Sequence, residues 1–348
     1  MSGAPRPTQP SGLGARVVGA AIGARLRARE LSAAPDALNL LESTAPDDRV
    51  QAAALLAEVS PAALGGEAPG HIVGITGPPG AGKSTLLSVL LRVWRGAGAP
   101  QQGDGRGDRK TVAILAVDPS SRRSGGSLLG DRARIDFDAA DTGVFIRSSA
   151  AGNQLGGLAS ATRAAAQALA AAFDVVVIET VGVGQAETDV ADVADTVAVV
   201  VQPGGGDVLQ FLKSGIMEIP DVLVVTKSDL GQIAVRTRRD LAAALRSLGS
   251  RSTRVIAVSS LPPPQGVDEL VTALDEHRAG LDLAARRVRS RRASALADYA
   301  REHGERGLGA LGGARAARAM LDDEDPGADV LSLVSALERR AGEQRAGG

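Results

Sequence analysis

Cysteine is absent from all 348 residues, which removes disulfides, thiolate metal sites and cysteine nucleophiles together. Aromatic residues make up only 2% of the chain. A core drawn from its 44% apolar residues must therefore be built of Val, Ile, Leu and Ala. Neither sign of charge dominates, with 39 Lys and Arg against 40 Asp and Glu, so no overall field points to nucleic acid or a membrane as partner. No apolar run reaches the roughly 20 residues that span a bilayer. The N-terminus also lacks the apolar stretch of a secretion signal, so a cytoplasmic location is expected. The length suits one sizeable α/β domain with extensions.

What is present is organised around residues 71–95, HIVGITGPPGAGKSTLLSVLLRVWR. A short apolar run ends in Gly77-Pro78-Pro79-Gly80-Ala81-Gly82-Lys83-Ser84-Thr85, and an amphipathic helical pattern follows. This is the phosphate-binding loop GxxxxGK[ST] with its required strand before and helix after. Glycines let successive backbone N–H groups converge on phosphate oxygens, and the helix N-terminus adds partial positive charge. Lys83 is expected to reach the β and γ phosphates and Ser84 to ligate Mg²⁺. A nucleoside triphosphate is the expected ligand.

Around this loop the chain divides into four stretches. Residues 1–15, rich in Pro, Gly and Ser, are expected to be a disordered tail. Residues 16–68 are expected to form a helical extension: Val17, Val18, Ala21 and Ile22 fall at helical spacing, Ala-Pro-Asp marks helix starts near 34 and 45, and Leu55, Leu56 and Val59 form an apolar stripe. From 69 to 280, continuous apolar runs at 111–117, 143–146, 174–178, 196–201, 222–226 and 255–258 join residues 72–75 and alternate with helical patterns at 158–172, 207–217 and 232–248. Such alternation predicts a three-layer α/β fold, a mainly parallel sheet covered on both faces, with ligands at the carboxyl ends of the strands. Residues 281–348 read as a helical C-terminal arm. Its Arg-rich start, ARRVRSRRASALADYAREHGERG, is expected to be a solvated or subunit-contact helix rather than a nucleic-acid patch, because Leu, Val and Glu interrupt the charge.

Polar motifs close the strands. Asp118, before Pro119, can hold Mg²⁺ directly or through water or orient a nucleophilic water; a plain turn aspartate is the competing role. Asp131 is a second candidate for the metal's outer shell, with Arg132 and Arg134 as candidates for the γ-phosphate. Glu179 opens Glu-Thr-Val-Gly where other phosphate-loop proteins carry Asp-x-x-Gly. Gly182 can present its N–H to the γ-phosphate, and Glu179 or Gln185 can position water. Thr226-Lys227-Ser228-Asp229 argues for the base: Asp229 can accept from N1–H and N2–H₂ of guanine, which adenine does not offer. Lys227 can lay its stem over the ring. Ser259, Ser260 and Leu261 stand where a backbone N–H could meet the guanine oxygen. A helix N-cap is the alternative for Thr-Lys-Ser-Asp.

With these motifs in place, residues 71–279 resemble the MeaB/ArgK-type GTPases, chaperones associated with methylmalonyl-CoA mutase in the SIMIBI class of phosphate-loop GTPases. The likeness rests on GPPGAGKST (77–85), VDPSS with GGSLLGDRAR (117–121, 125–134), GVFIRS with LGGL (143–148, 155–158), IETVGVGQAE (178–187) and LKSGIMEIPDVLVVTKSDL (212–230). The resemblance implies GTP hydrolysis with Mg²⁺ and a homodimer held partly by the C-terminal arm. It also implies an adenosylcobalamin-dependent acyl-CoA mutase as partner, whose cofactor loading and protection the GTP cycle gates. By motif, Lys83, Ser84, Asp118, Asp131 and Glu179 take phosphate, metal and water roles, and residues 202–207 (QPGGGD) fall where the family has a further mobile switch. Thr226 stands where the family usually has Asn; its hydroxyl can hold the loop or contact the base. The run Leu-Pro-Pro-Pro-Gln-Gly after 260 also departs from the family pattern, and no catalytic arginine follows Gly152 or Asn153.

Other readings remain. A metallochaperone GTPase would need thiolate or imidazole ligands, and this chain offers only the scattered His71, His277 and His303. A protein-targeting GTPase would add a Met-rich region, and there are three Met. A kinase acting on a transport component, or a nucleotide-dependent scaffold, is the remaining alternative.

Overall fold

The computed structural model describes residues 12–96, 109–118, 135–150, 158, 160–180, 185–204, 220–250 and 252–346. Its strands are β1 (His71–Thr76), β2 (Val112–Asp118), β3 (Val144–Ala150), β4 (Val175–Thr180), β5 (Thr196–Val201), β6 (Val222–Val225) and β7 (Arg254–Ala257). They form one sheet in the order β3-β2-β4-β1-β5-β6-β7, and every pairing is parallel. Successive side chains of a strand point to opposite faces. Ile72, Val176, Ile178, Val197 and Val199 thus enter one core, and Val73, Ile75, Val175, Val177 and Val200 the other. Both faces are apolar because both are covered, which is why the strands read as unbroken apolar runs. The Lys83–Trp94 and Val267–Ala279 helices cover the second face. Ser160–Leu169, Gln185–Val193, Gln232–Ser247 and the N-terminal helices cover the first.

The N-terminal extension folds as Gly12–Arg27, Ala34–Glu42, Pro46–Glu58 and Pro61–Leu64. Pro sits in the first turn of the second and third, as the Ala-Pro-Asp starts predict. Leu26, Leu38, Leu55 and Leu56 are buried in the same core as Ile72 and Phe173, so this extension is part of the domain's own packing. Its first helix corrects the expected stripe. Val17, Val18 and Ala21 are exposed, Ile22 packs against the core as expected, and the tightest seam runs through Gly19, Gly23 and Leu26. A Cβ at Gly19 would lie 2.0 Å from the Gln51 carbonyl oxygen, so the absence of side chains lets the two helices touch backbone to backbone. That helix also begins at Gly12, inside the stretch expected to be a tail. The helix expected at 207–217 lies outside the described residues.

The arm comprises Leu283–Ala310, Ala314–Asp322 and Val330–Ala346. They share a small core of Tyr299, Leu311, Leu321, Leu333 and Leu337. Two arginines of its Arg-rich start depart from a fully solvated face, because they point inward. Arg287, buried, donates from Nε to Asp195 Oδ1 at 2.9 Å and from Nη2 to Asp195 Oδ2 at 2.7 Å. It also reaches the Ala68 and Gly70 carbonyls at 2.5 and 2.6 Å. Asp195 itself is fully buried and accepts the Ile72 N–H at 2.8 Å. Arg291 forms a two-pronged pair with Glu67, both contacts at 2.8 Å. The guanidinium's planar fork suits such pairing, and it binds the arm to the lower end of the sheet.

Candidate active site

The loop after β1 is shaped by its glycines. Gly77 has φ +141°, and a Cβ there would stand 2.0 Å from the Val200 carbonyl oxygen on β5. Only glycine fits so close an approach. Gly82, at φ +90°, precedes the Lys83–Trp94 helix without a side-chain cap, which leaves first-turn N–H groups for an anion. Pro79 and Gly80 form the exposed crest, with Ala81 buried beneath and Thr85 exposed on the first helical turn. Lys83 is 7% exposed, and its Nζ donates to the carbonyls of Gly77 at 2.7 Å and Pro78 at 3.1 Å. The ammonium is therefore held inside the ring of the loop.

Beside it, Ser84 Oγ donates to Glu179 Oε1 at 2.9 Å. Glu179 is the second-last residue of β4 and buried, and its backbone lies opposite Ile75 of β1 and Ala116 of β2. A serine hydroxyl and a carboxylate oxygen in contact are hard donors of the kind Mg²⁺ takes, so these two residues fit that ion. The Asp118 backbone closes β2 against Ala150, on the strand next to Glu179. Asp131, Arg132, Arg134, Gly182 and residues 205–207 lie outside the described residues.

The base-reading segment follows β6. The buried Thr226 resolves one alternative: its Oγ1 lies 2.6 Å from the Ala81 carbonyl oxygen and 3.1 Å from that of Val201, both acceptors for its one proton. The hydroxyl holds the phosphate loop. Lys227 adopts a left-handed backbone at φ +52°, and its Nζ spans from Gln202 Oε1 at 2.6 Å to the Gly80 carbonyl at 3.3 Å. Asp229 is exposed in the short 3-10 turn Ser228–Leu230, where its Oδ1 accepts from Ser259 Oγ at 2.9 Å. The expected amide contact narrows accordingly. The Ser259 N–H is committed to the Gln265 carbonyl at 3.0 Å, and the Leu261 N–H leans on Ser259 Oγ at 3.3 Å. Ser259 thus orients Asp229 and does not itself offer its amide. Sequence patterns carry no signal for these side-chain ties across the site.

The histidines are less scattered than their numbering implies. His71 Nε2 lies 2.8 Å from Thr196 Oγ1, and His277 Nδ1 lies 2.9 Å from the same hydroxyl. Burial pushes His71 down to about 4, so it is neutral near pH 7. His277 also faces Asp221 at 3.2 Å. Among the described residues, the one cluster of three His or carboxylate side chains with metal-ligand spacing is Glu302, His303 and Glu338, away from the phosphate loop on the arm.

A parallel sheet of this order, with a phosphate loop after β1 and Thr-Lys-Ser-Asp after β6, defines a phosphate-loop GTPase of three-layer α/β architecture. Comparison with known proteins takes this further. The family model described as "Methylmalonyl Co-A mutase-associated GTPase MeaB" matches residues 34–306, and the chain belongs to this family. A Pyrococcus abyssi protein carrying a GTPase designation is 44% identical over 229 residues, covering 64% of this chain and 67% of its own. The mouse methylmalonic aciduria type A homolog, a mitochondrial protein, is 39% identical over 227 residues, covering 62% of this chain and 52% of its own. A crystal structure described as a LAO/AO transport system kinase superposes with a TM-score of 0.62 at 26% identity, covering 94% of this chain and 98% of the other. The chain is a GTPase. No helix among the described residues is long and apolar enough to cross a membrane.

Proposed function

We propose that this chain is a cytoplasmic, homodimeric switch protein whose GTP cycle gates adenosylcobalamin loading onto an acyl-CoA mutase of the methylmalonyl-CoA type and protects that mutase. The observation that carries this reading is the family match over residues 34–306, whose description names association with the mutase. The mouse relative's name is consistent with it. The arm, residues 281–348, holds the two copies together in part, and the domain of residues 69–280 carries the nucleotide.

In this reading Lys83 exchanges its loop carbonyls for β- and γ-phosphate oxygens, and the amides of Gly80, Ala81, Gly82, Lys83, Ser84 and Thr85 surround the phosphates. Ser84 and Glu179, with Asp118 and Asp131, supply oxygens to Mg²⁺, which when bound neutralises phosphate charge. Glu179 or Gln185 orients the attacking water, and Gly182 senses the γ-phosphate. Asp229, fixed by Ser259, accepts from guanine, the stem of Lys227 covers the ring, and the Ser260 and Leu261 backbone faces the base oxygen. Positioning and charge complement carry the rate, since phosphoryl transfer asks little covalent chemistry of the protein.

The test is complex formation with purified methylmalonyl-CoA mutase, followed by gel filtration with GDP and with a non-hydrolysable GTP analogue, together with mutase half-life during turnover. A nucleotide-dependent complex and a longer half-life are expected; neither effect appearing would overturn the proposal. Calorimetry adds that GTP binds far more tightly than ATP and that Asp229→Asn erodes this preference. The LAO/AO structure supports a second reading, a kinase for a transport component. Phosphate recovered on an acceptor protein, with none released as inorganic phosphate, would favour that one.

A further inference from the structure

We infer that Asp298, on the C-terminal arm, is a positioning residue for GTP hydrolysis, acting by way of Arg163 upon the Gln185–Val193 helix. The inference rests on the reading above that Glu179 to Gln185 respond to the γ-phosphate. Arg163, from the Ser160–Leu169 helix, is 3% exposed and lies between two acids. Its Nη2 donates to Asp189 Oδ2 at 3.1 Å and its Nη1 to Asp298 Oδ1 at 2.9 Å. Asp189 belongs to the Gln185–Val193 helix, which begins five residues after Thr180 closes β4. Asp298 belongs to the Leu283–Ala310 helix of the arm. One guanidinium therefore joins the element downstream of the γ-phosphate loop to an element about a hundred residues further along.

Both acids are anchored further. Asp189 Oδ2 accepts the Leu158 N–H at 2.8 Å. Asp298 Oδ1 accepts from Ser160 Oγ at 2.6 Å and from Arg301 Nη1 at 3.0 Å, and Arg301 Nη1 also reaches Ser160 Oγ at 2.7 Å. A planar fork serves two carboxylates only while both stay in register with it. In a buried setting, removal of one partner leaves charge poorly compensated, so the fork moves. The neighbouring face of the Gln185–Val193 helix, about 100° round from Asp189, is fixed by packing. Val190 sits against β1 so closely that a Cβ on Gly74 would stand 2.7 Å from its Cγ2. The helix is held by the sheet on one face and by Arg163 on the adjoining one, and Asp298 sets the direction of Arg163. A shift of Arg163 is thereby passed to the Gln185–Val193 helix, while neither the loop after β1 nor the base segment after β6 takes part in these hydrogen bonds.

The full-length chain tests this with Asp298→Ala and Asp298→Glu. For the alanine variant, kcat for GTP falls about tenfold, the scale of a single charge-assisted hydrogen bond, and KM stays within twofold. The glutamate variant, which keeps the charge, retains kcat within threefold of the parent. Amide hydrogen exchange gives a readout independent of hydrolysis: in complex with a non-hydrolysable GTP analogue, residues 185–193 exchange faster in the alanine variant. Unchanged kcat, or a KM that rises in step with the fall in kcat, overturns the inference. Unchanged exchange at 185–193 also overturns it. A parent chain whose turnover survives Lys83→Ala would instead defeat the proposed site, and the exchange measurement would still decide the role of Asp298.

Discussion

Replacing Arg287 with Met tests whether the arm is part of the folded GTPase domain. The substitution deletes four hydrogen bonds: two to Asp195 and one each to the carbonyls of Ala68 and Gly70. Methionine fills much of the space, so the packing change is small. The carboxylate left behind decides the cost. Asp195 is 0% exposed and keeps only the Ile72 N–H among the partners described above. Breaking a buried ion pair from one side typically costs about 3–5 kcal/mol, against a total stability of roughly 5–15 kcal/mol. At about 2–4 °C per kcal/mol for a domain of roughly 200 residues, that corresponds to a fall in Tm of about 6–20 °C. The assay is urea or thermal unfolding of the nucleotide-free chain. Adding Asp195→Asn to Arg287→Met should recover part of the stability, because the stranded charge is gone. A single variant within about 1 kcal/mol of the parent, the range of an exposed pair, would refute the reasoning.

Three further outcomes follow from the same geometry. Thr226→Val removes the bond to the Ala81 carbonyl and strands that acceptor, so GTP affinity should fall several-fold and stability by about 1–2 kcal/mol; calorimetry and thermal melts check both. Gly77→Ala forces a Cβ to 2.0 Å from the Val200 carbonyl oxygen and should abolish nucleotide binding in a fluorescent-analogue titration. For His71, burial lowers the folded-state value to about 4, while the unfolded chain titrates near 6.5, so only the unfolded state takes up the proton as pH falls between them. Stability should therefore drop by about 2 kcal/mol from pH 7 to pH 5 on this account. His71→Gln should remove that part of the slope in parallel urea titrations.

What can be read from the chain alone is whatever local pattern encodes. The phosphate loop announces itself by spacing, and β4 and β5 by runs such as VVVIET and TVAVVV. Helix starts at Ala-Pro-Asp are equally local. Sequence reasoning fails where a side chain's partner is remote. Arg287 is 92 residues from Asp195, and no periodicity distinguishes an arginine that faces solvent from one that spears a buried acid. Likewise, Val17 and Val18 look like a packing stripe, but the seam belongs to Gly19 and Gly23, whose contribution is the space they leave. Thr226 has two open roles in the sequence, and the Ala81 carbonyl within its reach selects one. His71 and His277 meet at Thr196 across 206 positions, a convergence that only the parallel order of the strands creates.

The buried grip of Arg287 on Asp195 has a practical corollary for anyone dissecting this molecule. Cutting the chain before Leu283 does not yield an intact GTPase domain; it exposes a carboxylate at the root of β5 and unpicks the entrance to β1. Any effect of such a truncation would be confounded by damage to the sheet, and point changes on the outward side of the arm are the cleaner instrument.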